Sequence, residues 1–364
     1  MADLSIDLFG RRLATPLILS SGPLSYSAEA IQLALTAGAA GAVTKTISRQ
    51  PAINPTPHMA RASTPGSLLN TEKWADLTAE QWIERELPAL RSRRGFVIAS
   101  VGHAEADVQA YAAALARAGV DALEVVSYQS RDMAALVRAA KAAVNVPVLA
   151  KVSANWPDLP EVVGACVQAG ADGITAIDSI GPVLQIDIET ARPSLGGPYG
   201  QAWLSGAAIK PIAIRVVADI ARRYDIPILG VGGVTRAEDI VEMMMAGATA
   251  VQVHTAPLLK GLEFFARAAD ALGHWLDAHG YSHVARLRGL ALPYLLDGED
   301  TRPLGFHFDP GACNACRLCV KVCAYRARTL AAGKQMNLDR ARCRSCGLCA
   351  SVCPTGALHI CAKG

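Results

Sequence analysis

A chain of 364 residues, 51% of them hydrophobic, can bury one large α/β core and carry a small second domain. Its formal net charge is +3, with Lys and Arg scattered rather than gathered into runs. This argues against nucleic acid or an acidic membrane surface as partner and points to a small-molecule substrate.

The amino terminus, Met1-Ala2-Asp3-Leu4-Ser5, has no basic segment before an apolar run, and no stretch approaches the roughly 20 apolar residues of a membrane span. The expectation is a cytoplasmic protein with no membrane partner. The first strand is predicted at Leu17 to Ser20. A short unit then recurs: Ala37-Gly38-Ala39-Ala40-Gly41-Ala42-Val43, Ala118-Gly119-Val120-Asp121-Ala122-Leu123, Ala169-Gly170-Ala171-Asp172-Gly173-Ile174 and Ala246-Gly247-Ala248-Thr249-Ala250-Val251. In each, a helical pattern ends at a glycine suited to a left-handed cap, and a buried strand follows. Further strands are read at Phe96 to Val101, Val148 to Val152 and Ile228 to Val231, separated by helical patterns such as Glu105 to Ala118 and Ala208 to Arg223. Eight β-α units predict a TIM (β/α)8 barrel. A doubly wound open sheet competes, but it needs a phosphate fingerprint after its first strand, and Ser20-Ser21-Gly22-Pro23 is not one. Cys166, on an apolar helical stretch, reads as core packing. After the helical segment Gly261 to His279, the polar cluster Asp297-Gly298-Glu299-Asp300 marks a boundary. The expected domains are 1–298, the barrel, and 299–364.

Eight of the ten cysteines fall between Cys313 and Cys353. Cys313, Cys316, Cys319 and Cys323 form C-x2-C-x2-C-x3-C, and Cys343, Cys346, Cys349 and Cys353 repeat it before Pro354. That run predicts a ferredoxin-like domain with two [4Fe-4S] clusters, the fourth cysteine of each run ligating the other cluster. Cys313, Cys316, Cys319 and Cys353 would hold one, and Cys343, Cys346, Cys349 and Cys323 the other. A pair of zinc sites is the competing reading. Cys361 lies outside both runs and reads as a spare thiol. Paired clusters pass single electrons, so a two-electron cofactor is expected nearby.

In a TIM barrel the chemistry sits at the carboxyl ends of the strands, with phosphate held after strands seven and eight. Gly232-Gly233-Val234-Thr235 follows such a strand and opens a helix, which suits a phosphate. Taken with Ser20-Ser21-Gly22, Thr44-Lys45-Thr46, Ser67-Leu68-Leu69-Asn70-Thr71-Glu72, Lys151-Val152-Ser153-Ala154-Asn155, Ile177-Asp178-Ser179-Ile180-Gly181, Ser205-Gly206-Ala207 and Gln252-Val253-His254-Thr255-Ala256, the chain resembles the class 1 dihydroorotate dehydrogenases. It resembles still more closely the FMN and iron-sulfur portion of dihydropyrimidine dehydrogenase, and the likeness spans nearly the whole chain.

That resemblance implies FMN, with Ser21, Gly22, Lys45, Thr46, Asn70 and Lys151 around the isoalloxazine. Gly206, Gly232, Gly233 and Thr255 would receive the phosphate and ribityl chain. A cation near the flavin's N1 and C2 carbonyl stabilises its reduced anion, which gives the lysines a physical role. Asn70, Glu72, Asp178 and Ser179 fall where the family binds its substrate's ring amides. The pattern breaks after the fourth strand. The family's Glu-Leu-Asn-Leu-Ser-Cys-Pro and the mobile loop bearing its general acid or base are missing. The chain reads Leu123-Glu124-Val125-Val126-Ser127-Tyr128-Gln129 and runs directly into a helix at Met133 to Ala143, with Val126 in place of the substrate-binding asparagine. Asp178 and His254 also replace an asparagine and a glycine. A general acid is typically worth 10²–10⁴-fold, so Tyr128, or Asp178 if burial raises its pKa, becomes the candidate proton donor. The expected function is flavin-dependent reduction of an activated C=C bond of a cyclic amide or related conjugated substrate. Two alternatives stand beside it: an electron-transfer subunit without its own substrate, and a dihydropyrimidine or dihydroorotate dehydrogenase working oxidatively. With no dinucleotide fingerprint, the electron donor must be external, either an FAD- and NAD(P)H-binding reductase subunit or a ferredoxin. The resembled families form homodimers, so one is expected here.

Overall fold

The computed structural model describes residues 1–92 and 95–361. Its contacts divide the chain into two units, Met1–Leu295 and Leu296–Gly364.

The first unit is built on eight parallel strands that close into a barrel: β1 (Leu17–Leu19), β2 (Gly41–Val43), β3 (Phe96–Gly102), β4 (Ala122–Val126), β5 (Val148–Val152), β6 (Gly173–Ala176), β7 (Ile228–Val231) and β8 (Ala250–Val253). The strands pair in chain order and β8 returns to β1, which is the TIM barrel expected from the repeated units. A helix follows each strand: α1 (Ala28–Thr36), α2 (79–89, with a π turn at Trp82–Glu86), α3 (Glu105–Arg117), α4 (Met133–Ala143), α5 (Leu159–Gln168), α6 (Lys210–Arg223), α7 (Ala237–Met245) and α8 (Phe264–Ala278). The segment read as one helix from Gly261 to His279 starts only at Phe264, because Gly261 (φ +91°) closes the preceding short helix Thr255–Lys260.

The recurring unit has a local cause. Gly38, Gly119, Gly170 and Gly247 take φ between +94° and +119°, a region costly for residues with a Cβ, and so end α1, α3, α5 and α7. The side chain that follows ties the new strand to its neighbour. Asp121 accepts from the Val97 amide at 2.8 Å and Asp172 from the Val148 amide at 2.7 Å. The strands then bury almost completely, Leu17, Ile18 and Leu19 each at 0% exposure, and each such side chain contributes about 1.5–3 kcal/mol. Cys166 is buried in α5, where burial pushes its thiol up to about 12, as a packing residue requires.

An amino-terminal hairpin, Ile6–Leu8 with Arg11–Leu13, reaches the amino end of the barrel, where Phe9 stands 6.5 Å from the Phe96 ring. At the other end, long connections after β2 and β6 supply a four-stranded antiparallel sheet of Met59–Arg61, Ser67–Asn70, Ala202–Gly206 and Ile180–Val183.

The second unit is an internal repeat with two antiparallel strand pairs, Phe306–Phe308 with Leu358–Ile360 and Arg328–Leu330 with Met336–Leu338, plus helices Leu318–Lys321 and Leu348–Ser351. The repeat relates Asp309, whose amide donates to the Ala357 carbonyl, to Asp339, whose amide donates to that of Ala327, both at 2.8 Å. Among the described residues no helix is long and apolar enough to cross a membrane.

Candidate active site and cysteine module

Every barrel strand delivers a polar group at or just past its carboxyl end. In order they are Ser21 and Gly22, Lys45 and Thr46, His103, Tyr128, Lys151, Asp178, Gly232 and Gly233, and His254 and Thr255. Parallel registers put Ser100, Glu124 and Leu149 on one face, and Lys151 and Thr175 on that same face one step further along. Below the site this face is wired across the barrel. Glu124, 0% exposed, accepts from Thr175 Oγ1 at 2.8 Å, and the Gln252 amide nitrogen donates to it at 3.4 Å. Gln252 Oε1 in turn accepts from Ser20 Oγ at 2.9 Å. Among the described residues Glu124 Oε1 is buried with no partner.

The two lysines that the resemblance singles out are both buried, and each meets a carboxylate that it also singles out. Lys45 Nζ lies 2.5 Å from Glu72 Oε1, the two side chains being 5% and 10% exposed. Lys151 Nζ lies 3.5 Å from Asp178 Oδ1. Burial works against the Lys151 charge, but the carboxylates of Asp178 and Glu124 outweigh it and hold its pKa above the ordinary lysine value. Asp178 is 40% exposed, accepts the Ser179 amide at 2.7 Å and is paired with Lys151. The donor role expected of it depends on burial, whereas here the carboxylate is partly exposed and already takes the Ser179 amide and the Lys151 ammonium as partners. Ser179 is placed by Asn155, whose side chain donates to the Ser179 carbonyl at 3.3 Å and accepts the Gly181 amide at 3.1 Å. Asn70 donates to the Trp203 carbonyl at 3.3 Å, which leaves its side-chain oxygen available. Thr46 Oγ1 bonds Ser100 Oγ at 3.0 Å and is thereby fixed to β3.

The short connection after β4 brings Tyr128 over the end of β3. Its ring stacks on His103 with centroids 4.2 Å apart, and Trp74 meets the other side of His103 at 5.4 Å, edge on. Tyr128 keeps 55% of its surface exposed. Desolvation on its packed side, and then the Asp178 charge, push its phenol up to about 12. His103 was not among the residues legible in the sequence. Burial, opposed by Asp178 and Asp107, takes its pKa down to about 4, and among the described residues both ring nitrogens are buried without a partner. The position directly after a barrel strand was the only signal that could have found it. Val126, 5% exposed, fills the place of the family's asparagine with an apolar side chain.

On the phosphate side, Gly232 (φ +125°) and Gly233 (φ +83°) press against the first turn of α6, where a Cβ on Gly233 would fall 2.3 Å from Lys210 Cβ. Only bare backbone fits there, and among the described residues the Gly233 and Val234 amides find no protein acceptor. Thr255 Oγ1 donates to Ser205 Oγ at 2.9 Å, next to Gly206. His254 clamps the first loop: its Nδ1 lies 2.8 Å from the Ser20 carbonyl, and the Leu24 amide donates to Nε2 at 3.4 Å. These partners fix one neutral tautomer. Burial, then the Lys151 and Lys45 charges, bring its pKa down to about 4. A Cβ on Gly22 would lie 2.6 Å from the His254 ring, so the loop can approach only as glycine. The buried ammonium groups of Lys45 and Lys151, together with the Gly233 and Val234 amides, form a donor set that fits a phosphate-bearing aromatic cofactor.

In the second unit, Cys323, Cys343, Cys346 and Cys349 line one cavity together with Arg328. Cys319 lies within electrostatic range of Cys316 and Cys353. The first group is the set expected for one cluster, and the second holds three of the four cysteines expected for the other. Left-handed residues between the cysteines, Ala315 and Arg317 in one run and Ser345 and Gly347 in the other, curl the loops. Amides then donate to sulfur: Ala315 to Cys313 and Ser345 to Cys343 at 3.4 Å, Ala327 to Cys323 at 3.3 Å, and Leu358 to Cys353 at 3.4 Å. Sulfurs already held by N–H donors fit iron-sulfur ligation. Cys361 is a free, exposed thiol.

Comparison with known proteins agrees with both halves. Residues 3–276 match the dihydroorotate dehydrogenase family model, and residues 307–357 match that of the 4Fe-4S dicluster domain. Among curated relatives, the catalytic subunit of dihydroorotate dehydrogenase B (NAD(+)) from Methanothermobacter thermautotrophicus is 35% identical over 296 residues, 77% of this chain and 95% of its own. The same subunit from Pyrococcus abyssi is 33% identical, covering 79% of this chain and 99% of its own, and that from Bacillus cereus is 33% identical over 79% and 97%. The match takes in nearly all of those relatives and leaves the rest of this chain outside it.

Proposed function

The chain belongs to the dihydroorotate dehydrogenase family, with a 4Fe-4S dicluster domain after the barrel, and from that premise we propose an oxidoreductase that saturates an activated C=C bond of a neutral cyclic amide. FMN, when bound, supplies a hydride at N5. Ser21, Gly22, Lys45, Thr46, Asn70 and Lys151 would line its ring system, and Gly206, Gly232, Gly233 and Thr255 its phosphate and ribityl chain. The eight cysteines of the two runs would hold two [4Fe-4S] clusters, fed by an external reductase or ferredoxin.

The preference for a neutral ring is supported by charge. Lys45 and Lys151 each already face a carboxylate, Glu72 and Asp178, with Glu124 beneath. A substrate bringing its own carboxylate would add a negative charge with no cation left to meet it, which is costly in a half-buried site. Glu72 and Asp178 accept from ring N–H groups, while Asn70 and Ser179 complete the ring's donors and acceptors.

The observation that carries the direction is Tyr128. Its ring is held against His103 with centroids 4.2 Å apart at the carboxyl end of the barrel, and a phenol is protonated throughout the neutral range, so it stands there as a proton donor and a poor base. As the β carbon of the C=C bond accepts a hydride, the Tyr128 hydroxyl delivers a proton to the α carbon and recovers one from solvent, to which it is open. Its stack on neutral His103 fixes where that hydroxyl points. The activity for which the relatives are named, dihydroorotate dehydrogenation, favours a second reading, oxidation of a dihydro-substrate with electrons leaving outward, which would require a base that Tyr128 does not supply.

The test is anaerobic turnover with excess dithionite, following the saturated product from uracil, thymine and bulkier cyclic enamides. Product from any neutral ring supports the reading. No product from any of them, in protein retaining FMN and both clusters, overturns it.

A further inference from the structure

Arg328 is 3% exposed, and among the described residues its Nη2 is buried without a partner. Its guanidinium carbon stands 4.4 Å over the Phe306 ring, and its Nε donates to Cys349 Sγ at 3.0 Å. Arginine is almost never fully buried unless an anion compensates it, and among the described residues no carboxylate pairs with this one. Among the described residues, the groups in reach that become anionic are cysteine sulfurs. Cys349 is in direct contact, and Cys319 of the other set lies within electrostatic range.

The internal repeat makes this arrangement one-sided. Arg328 follows Ala327 as Leu358 follows Ala357, and those two alanines play equivalent parts, their carbonyls taking the Asp339 and Asp309 amides. One half of the module thus buries a cation where the other buries a leucine at 1% exposure.

We propose that Arg328 sets the two clusters apart in potential, making the cluster that includes Cys349 the easier to reduce. This rests on the reading that the cysteines hold two [4Fe-4S] clusters. Each cluster gains one negative charge when it takes up one electron. A fixed buried cation bonded to a ligand sulfur stabilises that extra charge, and hydrogen bonds to sulfur, local charge and solvent exposure are the terms that tune such potentials. Leu358 offers its cluster no such group. The pair forms an electron relay with a built-in order: the cluster containing Cys319 is the stronger donor and the one containing Cys349 the stronger acceptor.

The experiment is an anaerobic redox titration of the full chain monitored by low-temperature EPR, with iron and acid-labile sulfide measured first. Fewer than two clusters per wild-type chain would sink the underlying cluster reading rather than this inference. With both present, two separated potentials are expected. Arg328→Leu, which copies the other half, should lower the higher one by at least tenfold in its reduction equilibrium, about 59 mV for one electron, and narrow the gap. Unchanged potentials in a fully loaded variant, or a shift confined to the lower potential, overturn the proposal. If Arg328→Leu does not load clusters, Arg328→Lys and Arg328→Gln decide. Lys should stay near wild type and Gln should fall, and equal potentials in the two would contradict the role of charge.

Discussion

The ring of Tyr128 lies on the ring of His103, centroids 4.2 Å apart and planes 13° from parallel, so the end of β4 is locked to the end of β3 where the family carries a mobile loop. A side chain held this way can deliver a proton from one position without a closing segment. Tyr128→Phe keeps the stack and removes the proton. It should slow single-turnover product formation 10²–10⁴-fold while leaving substrate affinity within a few-fold. An unchanged rate, measured by rapid mixing of the reduced protein with a neutral cyclic amide, would remove Tyr128 from the chemistry.

The same stack has a pH signature. His103 and His254 titrate at about 4 in the folded chain, against 6.5 as the ordinary value. Between those values the unfolded chain binds more protons, so the stability these neutral rings contribute is present above pH 6.5 and is lost as pH falls toward 4. His103→Phe keeps the aromatic packing without the titration. Its loss of unfolding free energy between pH 7 and pH 5 should be smaller than the wild type's by about 1–2 kcal/mol, read by denaturant titration. Identical losses would mean that His103 is not held neutral.

Lys45 and Glu72 should behave as a unit. Removing one member of a buried ion pair leaves a charge uncompensated and costs about 3–5 kcal/mol. Lys45→Met should therefore lower stability by about that much and weaken FMN retention. Lys45→Met with Glu72→Gln should recover stability but not FMN. A double variant no more stable than the single one would show that the pair does not stabilise the fold.

Gly233→Ala forces a Cβ to within 2.3 Å of Lys210 Cβ at φ +83°. The strain is about 1–3 kcal/mol and falls on the turn assigned to phosphate. FMN affinity, followed by fluorescence on dilution, should drop at least tenfold. Gly280→Ala is the control, since its φ is +75° but nothing lies within 4 Å of the added Cβ. That variant should lose stability and keep FMN.

The barrel was legible because its cause is local. A glycine that ends a helix, followed by a short apolar run, recurs with little dependence on the rest of the chain, and Asp121 and Asp172 mark where each new strand meets its neighbour. The cysteine groups were legible because ligand spacing is set by the cluster. What the sequence withheld depends on contacts across the barrel. Lys45 meets Glu72 and Lys151 meets Asp178 only because different strands bring them together. Glu124 lies in a strand that reads as plain hydrophobic filling, yet its carboxylate sits at 0% exposure in a network spanning β4, β6 and β8. His103 carries no motif, and only its place one residue past β3, beneath Tyr128, gives it a part. Asp178 shows the limit from the other side: its expected donor role depended on burial, and its side chain is 40% exposed and faces Lys151, a relationship that no motif in the sequence carries.

The most direct test sets two half-reactions of the holoprotein side by side under anaerobic conditions. Dithionite-reduced protein is mixed with uracil or thymine, and oxidised protein with dihydroorotate, while flavin absorbance is followed by stopped flow. A reductase for neutral rings returns the oxidised flavin spectrum rapidly in the first case and bleaches slowly or not at all in the second. Rapid bleaching by dihydroorotate, with reduced flavin untouched by every neutral acceptor, would contradict the account and assign the chain to the oxidative direction.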